Sequence, residues 1–183
     1  MDLQSPDRPA SSTNGRATAK PVVIPPDVDA LLALGADALG ELYAAASVPR
    51  VDELDGDLRG RMLAIPRLPS ALVAPIRAFA GSSAFPWRGK SFASQSAANG
   101  EGINRVVSDR VRLFRFGTFI GPSRAGAFDA LQLDYDRPSN PFFIRAIKDE
   151  VRTLRPGLWL GQAWLHVGGR DHLALYFGLQ KQR

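Results

Sequence analysis

The sequence contains no cysteine and only two histidines among its 183 residues. Without cysteine the chain forms no disulfide, has no thiolate nucleophile and offers no cysteine ligand to a metal ion. His166 and His172 are too isolated to make a recognised zinc motif. The composition therefore predicts a protein with no bound metal and no cofactor.

Long apolar runs are also missing. No stretch of about 20 apolar residues is present that would span a bilayer as a helix. The first residues are polar and include proline, unlike the basic and then apolar start of a secretory signal. From these two absences we expect a cytoplasmic protein without membrane insertion.

Clustered positive charge is absent, although the net charge is +5 and the pI is near 10.1. The arginines are scattered singly, and part of the excess lies near the two ends of the chain. Nucleic-acid-binding surfaces need clustered Lys and Arg with interleaved aromatic residues, or a recognisable fold motif. We therefore predict no nucleic-acid partner, and the sequence leaves the oligomeric state open.

Motifs of common enzyme classes are missing as well. There is no Gly-x-Ser-x-Gly elbow, no P-loop and no glycine fingerprint of a dinucleotide-binding fold. These absences argue against classical nucleotide chemistry, and they leave open whether the protein is an enzyme at all.

Length and composition favour one domain, because 183 residues with 45% hydrophobic content suffice for one core and are few for two. Residues 1–24 hold almost no large apolar side chain, so we predict a disordered tail there and a single domain over residues 25–183. Pro25 and Pro26 open a helical pattern, and a second short helix is expected from Pro69 to Gly81.

The second half of the chain reads as short strands separated by turns. A first strand is expected near Leu58, and the later runs are Trp87–Ala93, Ile103–Val107, Val111–Phe119, Phe128–Tyr135, Leu158–Val167 and Leu173–Leu179. Gly168 and Gly169 suit a tight hairpin between the last two runs. This rhythm predicts an antiparallel β-barrel preceded by helices, with a flat α+β sheet as the alternative.

One further helix is predicted from Asn140 to Leu154, inserted before the last hairpin. Asn140 is a good N-cap, and the following apolar residues fall on one helical stripe, namely Phe143, Ile147, Val151 and Leu154. On this helix Glu150 would lie at the flank of the stripe. Two interpretations of Glu150 follow: a carboxylate that pairs with a neighbouring arginine or with water, or a partly desolvated catalytic acid or base.

The segment Phe85-Pro86-Trp87-Arg88-Gly89-Lys90 resembles the Gly-x-Trp-x-Gly opening strand of the calycins, which include lipocalins, fatty-acid-binding proteins and nitrobindin-like proteins. Trp87 and Gly89 fit this motif, whereas Phe85 stands where its first Gly is expected. The resemblance implies a calycin-like barrel with Trp87 packed across one end and an apolar ligand inside. Nothing in the sequence marks a histidine as a haem ligand.

Two functions of different class follow from this predicted barrel. The first is binding of a small hydrophobic molecule in the interior, with Lys90 or Arg145 meeting its polar end. The second is a cofactor-independent isomerase or cyclase acting on a hydrophobic substrate in the same cavity. The predicted ligand-binding residues are Trp87, Lys90, Phe92, Phe114, Phe116, Tyr135, Arg145, Trp164 and Tyr176, and the candidate catalytic residues are Glu150, Tyr135, Tyr176 and His166.

Different roles are predicted for the two tryptophans Trp87 and Trp164. Trp87 is expected to stabilise the barrel with little influence on the ligand, and Trp164 is expected to contact the ligand. A third interpretation of the chain is a helper or interaction domain whose core is filled. A titratable group that projects into the cavity with a perturbed pKa would distinguish the enzyme from the other two.

Overall fold

The computed structural model describes residues 23–67, 78, 86–108 and 110–182. The predicted tail over residues 1–24 lies almost entirely outside this range, as does the predicted helix from Pro69 to Gly81. Both stay predictions, together with the domain boundary that rests on the tail.

Eight strands form one closed antiparallel barrel in which every strand pairs with its neighbours in the sequence and the last pairs with the first. They are β1 (Gly56–Ala64), β2 (Trp87–Ser94), β3 (Asn99–Val106), β4 (Arg112–Pro122), β5 (Asp129–Asp134), β6 (Ile147–Arg155), β7 (Leu158–Val167) and β8 (Arg170–Lys181). The prediction of an antiparallel barrel is confirmed, and the flat α+β alternative is wrong.

Helical structure in the described residues is sparse. The longest helix, α1, covers Ala36–Ala45, and a single helical turn, α2, covers Phe142–Arg145. Two 3-10 turns cover Ala30–Ala33 and Val51–Leu54. None of these helices is long and apolar enough to cross a bilayer.

The predicted helix from Asn140 to Leu154 is wrong, because most of it is strand β6. Ile147 and Val151 are four positions apart, a spacing that puts two side chains on one face of a helix and also on one face of a strand. Hydrogen bonding to β5 on one side and β7 on the other decides in favour of the strand. Only the turn α2 remains of the helix before the last hairpin.

Apolar side chains form two separate cores, one inside the barrel and one on its outer surface. The inner core combines inward residues of the strands with Val51 and Leu54, whose 3-10 turn closes one end of the barrel. The outer core lies where α1 packs on the sheet, and it includes Leu39, Leu42 and Tyr43 of the helix. Alternation therefore assigns neighbouring residues to different cores, as with Trp159 and Leu160 on β7 or Tyr176 and Phe177 on β8.

Candidate functional site

A cavity of about 310 Å³ lies inside the barrel, on the side away from the turn Val51–Leu54. Its wall is mostly apolar and is contributed by most of the strands and by α2. The lining residues are Met62, Pro86, Trp87, Lys90, Asn104, Val106, Phe114, Tyr135, Ile144, Ile147, Asp149, Ala163, Leu175 and Phe177. The polar members of this set are Lys90, Asn104, Tyr135 and Asp149, which we call the inner polar cluster.

Lys90 is the centre of the inner polar cluster. Its Nζ donates hydrogen bonds to Asn104 Oδ1 at 2.9 Å, to Tyr135 Oη at 2.5 Å and to Asp149 Oδ2 at 2.9 Å. Both members of the Lys90–Asp149 ion pair are buried, with 3% and 6% of their side chains exposed. Such a pair repays the cost of desolvation only when further hydrogen bonds engage its remaining donors and acceptors, and here those of Lys90 are all engaged.

Aromatic rings surround the ammonium group of Lys90. The centroids of Trp87, Phe116, Tyr135 and Phe177 lie between 5.1 and 5.5 Å from Nζ. The faces of aromatic rings attract a cation at this distance. The rings and Asp149 therefore both favour the charged form of Lys90 in a site where water is scarce.

Burial shifts the proton affinities of two members of the cluster. Desolvation lowers the pKa of Lys90, and the carboxylate of Asp149 opposes that effect. Desolvation and the nearby Asp149 charge both raise the pKa of Tyr135 well above its ordinary value. Titratable groups with perturbed pKa values thus line the cavity.

Local backbone geometry positions the cluster. Gly89 adopts φ 136° at a bulge in β2, and a Cβ at this position would lie 2.0 Å from the carbonyl oxygen of Leu58. Phe114 adopts φ 61° at a bulge opposite β3, and its carbonyl accepts a hydrogen bond from Asn104 Nδ2. Trp87 Nε1 donates to Asn104 Oδ1 at 3.0 Å, which holds this amide in one orientation.

Six of the predicted site residues lie inside the barrel. Trp87, Lys90, Phe114 and Tyr135 line the cavity. Phe92 and Phe116 belong to the inner core beside it and contact each other edge to face. The sequence therefore located these inward positions, although it gave no indication of how the polar ones bond.

Glu150 lies on the outer face of β6, away from the cavity, and is fully buried there. Its Oε1 accepts hydrogen bonds from Ser123 Oγ and Trp164 Nε1, and its Oε2 accepts from the Arg124 backbone N–H and Gln132 Nε2. The Arg124 guanidinium lies 3.5 Å away. The interpretation of Glu150 as a carboxylate paired with an arginine agrees with this geometry, and its placement in the cavity is wrong.

Four more predicted residues lie away from the cavity. Tyr176 packs in the outer core, and Trp164 donates to Glu150 on the same outer face, because strand alternation turns both away from the barrel interior. His166 bonds Asp171 at the exposed end of the last hairpin, and exposed Arg145 pairs with Asp136. The expectation that these residues line the interior is corrected.

Asp149 and Asn104 are the members of the cluster that sequence reasoning missed. The helix predicted over residues 140–154 would put Asp149 on the side opposite the apolar stripe, whereas strand alternation puts it on the inward face with Ile147 and Val151. The β-branched residues Ile147, Val151 and Thr153 were the signal for a strand here. Asn104 follows Gly100 and Gly102, a pattern that predicts only a turn.

Comparisons with known proteins add little to this geometry. No family model matches the chain, and no curated protein matches it. A crystal structure of a protein from Thermomonospora curvata is similar, with a TM-score of 0.47 and 16% sequence identity. The similarity covers 81% of this chain and 88% of that one.

Proposed function

We propose that the protein binds a small, largely hydrophobic molecule inside its barrel. The observation that carries this proposal is an apolar cavity whose polar groups converge in one cluster. Sites for small molecules combine apolar walls with a few placed polar groups that fix the orientation of the ligand. The inner polar cluster supplies such a fixed point, and the surrounding aromatic and aliphatic side chains supply the walls.

The size of the cavity limits the ligand. At about 310 Å³ it lies at the lower end of the range of roughly 300–1,000 Å³ that is usual for small-molecule sites. A molecule of the size of a substituted naphthalene matches this space better than an extended lipid chain. The wall residues Met62, Leu175 and Ile147 favour an aromatic or alicyclic body over a polar one.

The calycin-like character of the barrel is part of the proposal. Trp87 and Gly89 occupy the motif positions, and the indole of Trp87 packs against Gly60 and edge-on to Phe177. The segment lies on the second strand of the barrel and not on its opening strand, which corrects the position that the resemblance implied, and Trp87 lines the cavity wall there.

A second candidate function is proton transfer on a bound ketone or alkene. It is favoured by the presence of Asp149 and Tyr135 in the cavity wall, 3.1 Å apart between Oδ2 and Oη. In this scheme the Asp149 carboxylate takes a proton from the carbon beside a carbonyl, while the Tyr135 hydroxyl turns from Asp149 Oδ2 to donate its hydrogen bond to the carbonyl oxygen that becomes negative. The proton then returns to a different carbon, which is an isomerisation without any cofactor.

Calorimetric titration with naphthalene-sized neutral molecules tests the binding proposal. An Ala163→Phe variant fills the cavity, and an Ala174→Phe variant places the same side chain on an exposed position of the adjacent strand. We expect saturable binding that is lost in Ala163→Phe and retained in Ala174→Phe. Binding that both variants retain would place the ligand elsewhere and overturn the proposal.

Hydrogen–deuterium exchange of bound 2-tetralone, followed by NMR in heavy water, separates the binder from the enzyme. The enzyme hypothesis predicts exchange at the carbon beside the carbonyl that is faster than in buffer and that falls in Tyr135→Phe while binding persists. Exchange at the buffer rate with 2-tetralone bound would leave the protein a binder.

A further inference from the structure

The donors of Lys90 are fully used within the protein. An ammonium group has three N–H donors, and those of Lys90 reach Asn104, Tyr135 and Asp149. A ligand with a negatively charged end therefore finds no free donor on this lysine unless one of these bonds breaks.

Tyr135 and Asn104 are saturated as well. The hydroxyl of Tyr135 donates to Asp149 Oδ2 and accepts from both Lys90 Nζ and Asn104 Nδ2. The amide nitrogen of Asn104 donates to Tyr135 and to the Phe114 carbonyl, and its oxygen accepts from Trp87 and Lys90. Neither side chain has unused capacity to engage a ligand.

Asp149 is different, because only one of its carboxylate oxygens is engaged. Oδ2 accepts from Lys90 and Tyr135, while Oδ1 is buried with no hydrogen-bond partner among the described residues. Leaving a buried charged acceptor unpaired is costly, so this oxygen is a place where a partner is missing. Asp149 lines the cavity, and its buried Oδ1 reaches a group that enters the cavity by a rotation of the carboxylate about its broad terminal torsion, which also readjusts the bonds of Oδ2.

We propose that the ligand of the cavity carries a neutral hydrogen-bond donor, a hydroxyl or an N–H group, which Asp149 Oδ1 accepts. This inference rests on the proposed binding function and specifies the chemistry of the ligand. It differs from the expectation that Lys90 meets the polar end, because the free position in the cluster is an acceptor.

Charge excludes the other kinds of polar end. The Lys90–Asp149 pair is neutral as a whole, so an added carboxylate would be a buried charge with no counter-ion and would face the oxygen of Asp149. An added ammonium would be placed beside Lys90 in a site of low polarity, where like charges repel strongly. A phenol, an alcohol or an N–H heterocycle completes the cluster without adding charge.

A matched set of four ligands tests this inference on the unmodified protein. The molecules are 2-naphthol, 2-methylnaphthalene with the same shape and no polar group, 2-methoxynaphthalene with an acceptor only, and 2-naphthoate. Because hydrogen bonds to charged groups are among the stronger ones, we expect 2-naphthol to bind about tenfold or more tightly than either neutral analogue. We expect 2-naphthoate to bind most weakly near neutral pH.

Two variants assign the preference to Asp149. In the double variant Lys90→Met with Asp149→Asn the ion pair is replaced without an unpaired charge, and the preference for 2-naphthol over 2-methoxynaphthalene should shrink, because only neutral acceptors then remain in the cluster. Glu150→Gln alters the buried carboxylate on the other face of the same strand and should leave the preference intact.

The outcomes separate the two proposals. Binding that Ala163→Phe abolishes, with 2-naphthol no tighter than its neutral analogues or with 2-naphthoate tightest, overturns the inference and leaves the binding function in place. Absence of binding by all four molecules, or binding that Ala163→Phe does not change, overturns the binding function and the inference with it.

Discussion

Asp149 and Glu150 are adjacent on β6, and both carboxylates are buried, yet they lie in opposite surroundings. Glu150 faces outward, where donors from Ser123, Arg124, Gln132 and Trp164 engage both of its oxygens. Asp149 faces inward onto the cavity with one oxygen engaged and one without a partner among the described residues.

The difference between the two carboxylates shows that burial alone does not identify a ligand-binding residue. A buried charge whose hydrogen-bonding capacity is filled by the protein ties elements together, and here Glu150 joins the loop at Ser123 to strands β5 and β7. A buried charge that lines a cavity and is incompletely engaged is placed to meet something else. The two carboxylates are distinguished by whether each oxygen has a hydrogen-bond partner, and not by how deeply they are buried. Asp149 belongs to the candidate site, and Glu150 has a structural role.

The largest effect is expected for Asp149→Asn, which leaves the Lys90 charge buried without a counter-ion. We expect the free energy of unfolding to fall by about 3–5 kcal/mol near neutral pH, measured by urea denaturation. The double variant with Lys90→Met should recover most of this loss, since the charge is then absent. Asp136→Asn, which breaks the exposed pair with Arg145, is the matched control and should cost no more than about 1 kcal/mol. Equal losses for the two single variants would contradict a stabilising role of the inner pair.

Glu150→Gln should have a smaller effect on stability and none on the ligand. The amide keeps one acceptor and turns its NH₂ group toward neighbours that are themselves donors. The free energy of unfolding should therefore fall by about 1–3 kcal/mol. Thermal denaturation and 2-naphthol titration of the same sample measure both quantities. Glu41→Gln on the exposed side of α1 controls for loss of one negative charge. A variant with unchanged stability and weaker 2-naphthol binding would reverse the roles assigned to the two carboxylates.

Alkaline pH should reveal the burial of Tyr135. Its pKa is raised in the folded protein, so above about pH 10 the unfolded chain releases the phenolic proton while the folded protein keeps it. Stability therefore falls as pH rises through that window, by about 1.4 kcal/mol per pH unit for this residue. Lys90, whose folded pKa is lowered, acts in the opposite sense below about pH 10.5, because there the unfolded chain binds more protons.

The Tyr135→Phe variant isolates the tyrosine contribution to this pH dependence. Its free energy of unfolding should decline less steeply with pH than that of the unmodified protein, with urea denaturation at several alkaline pH values as the measurement. Parallel declines in the two proteins would show that the phenol ionises equally in the folded and unfolded states.

The smallest effect on stability is expected for Trp164→Phe. This change removes one hydrogen bond to Glu150 and should cost about 0.5–1.5 kcal/mol without altering ligand affinity. Trp87→Phe, the matched change inside the barrel, removes the bond that orients Asn104 and part of the cavity wall, so it should weaken 2-naphthol binding. These roles are the reverse of those that the calycin motif led us to expect from the sequence. A Trp164→Phe variant that lost ligand affinity would restore the original assignment.

Local patterns predicted the barrel well where turn chemistry and alternation agreed. Gly168 and Gly169 adopt φ 60° and 71° in the hairpin between β7 and β8, as the glycine pair indicated. Alternation along the last strand predicts one inward face for Leu173, Leu175, Phe177 and Leu179. The last three do belong to the inner core, whereas Leu173 packs on the outer core because the ladder to β7 is irregular beside it. The prediction for β6 was wrong because its apolar spacing fits both the helical and the strand period, and only hydrogen bonding to β5 and β7 distinguishes the two.

The inner polar cluster was beyond local reasoning for a different reason. Its members come from separate parts of the barrel, and the bonded pair Lys90 and Asp149 is 59 positions apart in the chain. No spacing rule connects such residues, since their proximity depends on barrel closure and on the two bulges that turn Lys90 and Phe114 inward. Composition could indicate an apolar interior, but not which polar groups would meet inside it.

Strand pairing around the barrel is uneven, and this has a consequence for motion. The shortest ladders join β1 to β2 and β5 to β6, on opposite sides of the closed sheet, and the longest joins β7 to β8. Short ladders are where local opening costs least, so amide hydrogens of β5 and β6 should exchange with solvent before those of β7 and β8. These two short ladders divide the barrel into two four-stranded halves, β2 to β5 and β6 to β1, and we expect local opening to begin between the halves. Lys90 lies in the first half and Asp149 in the second, so their ion pair connects the two halves across the barrel interior. A molecule that binds Asp149 would therefore contact a residue that makes this connection.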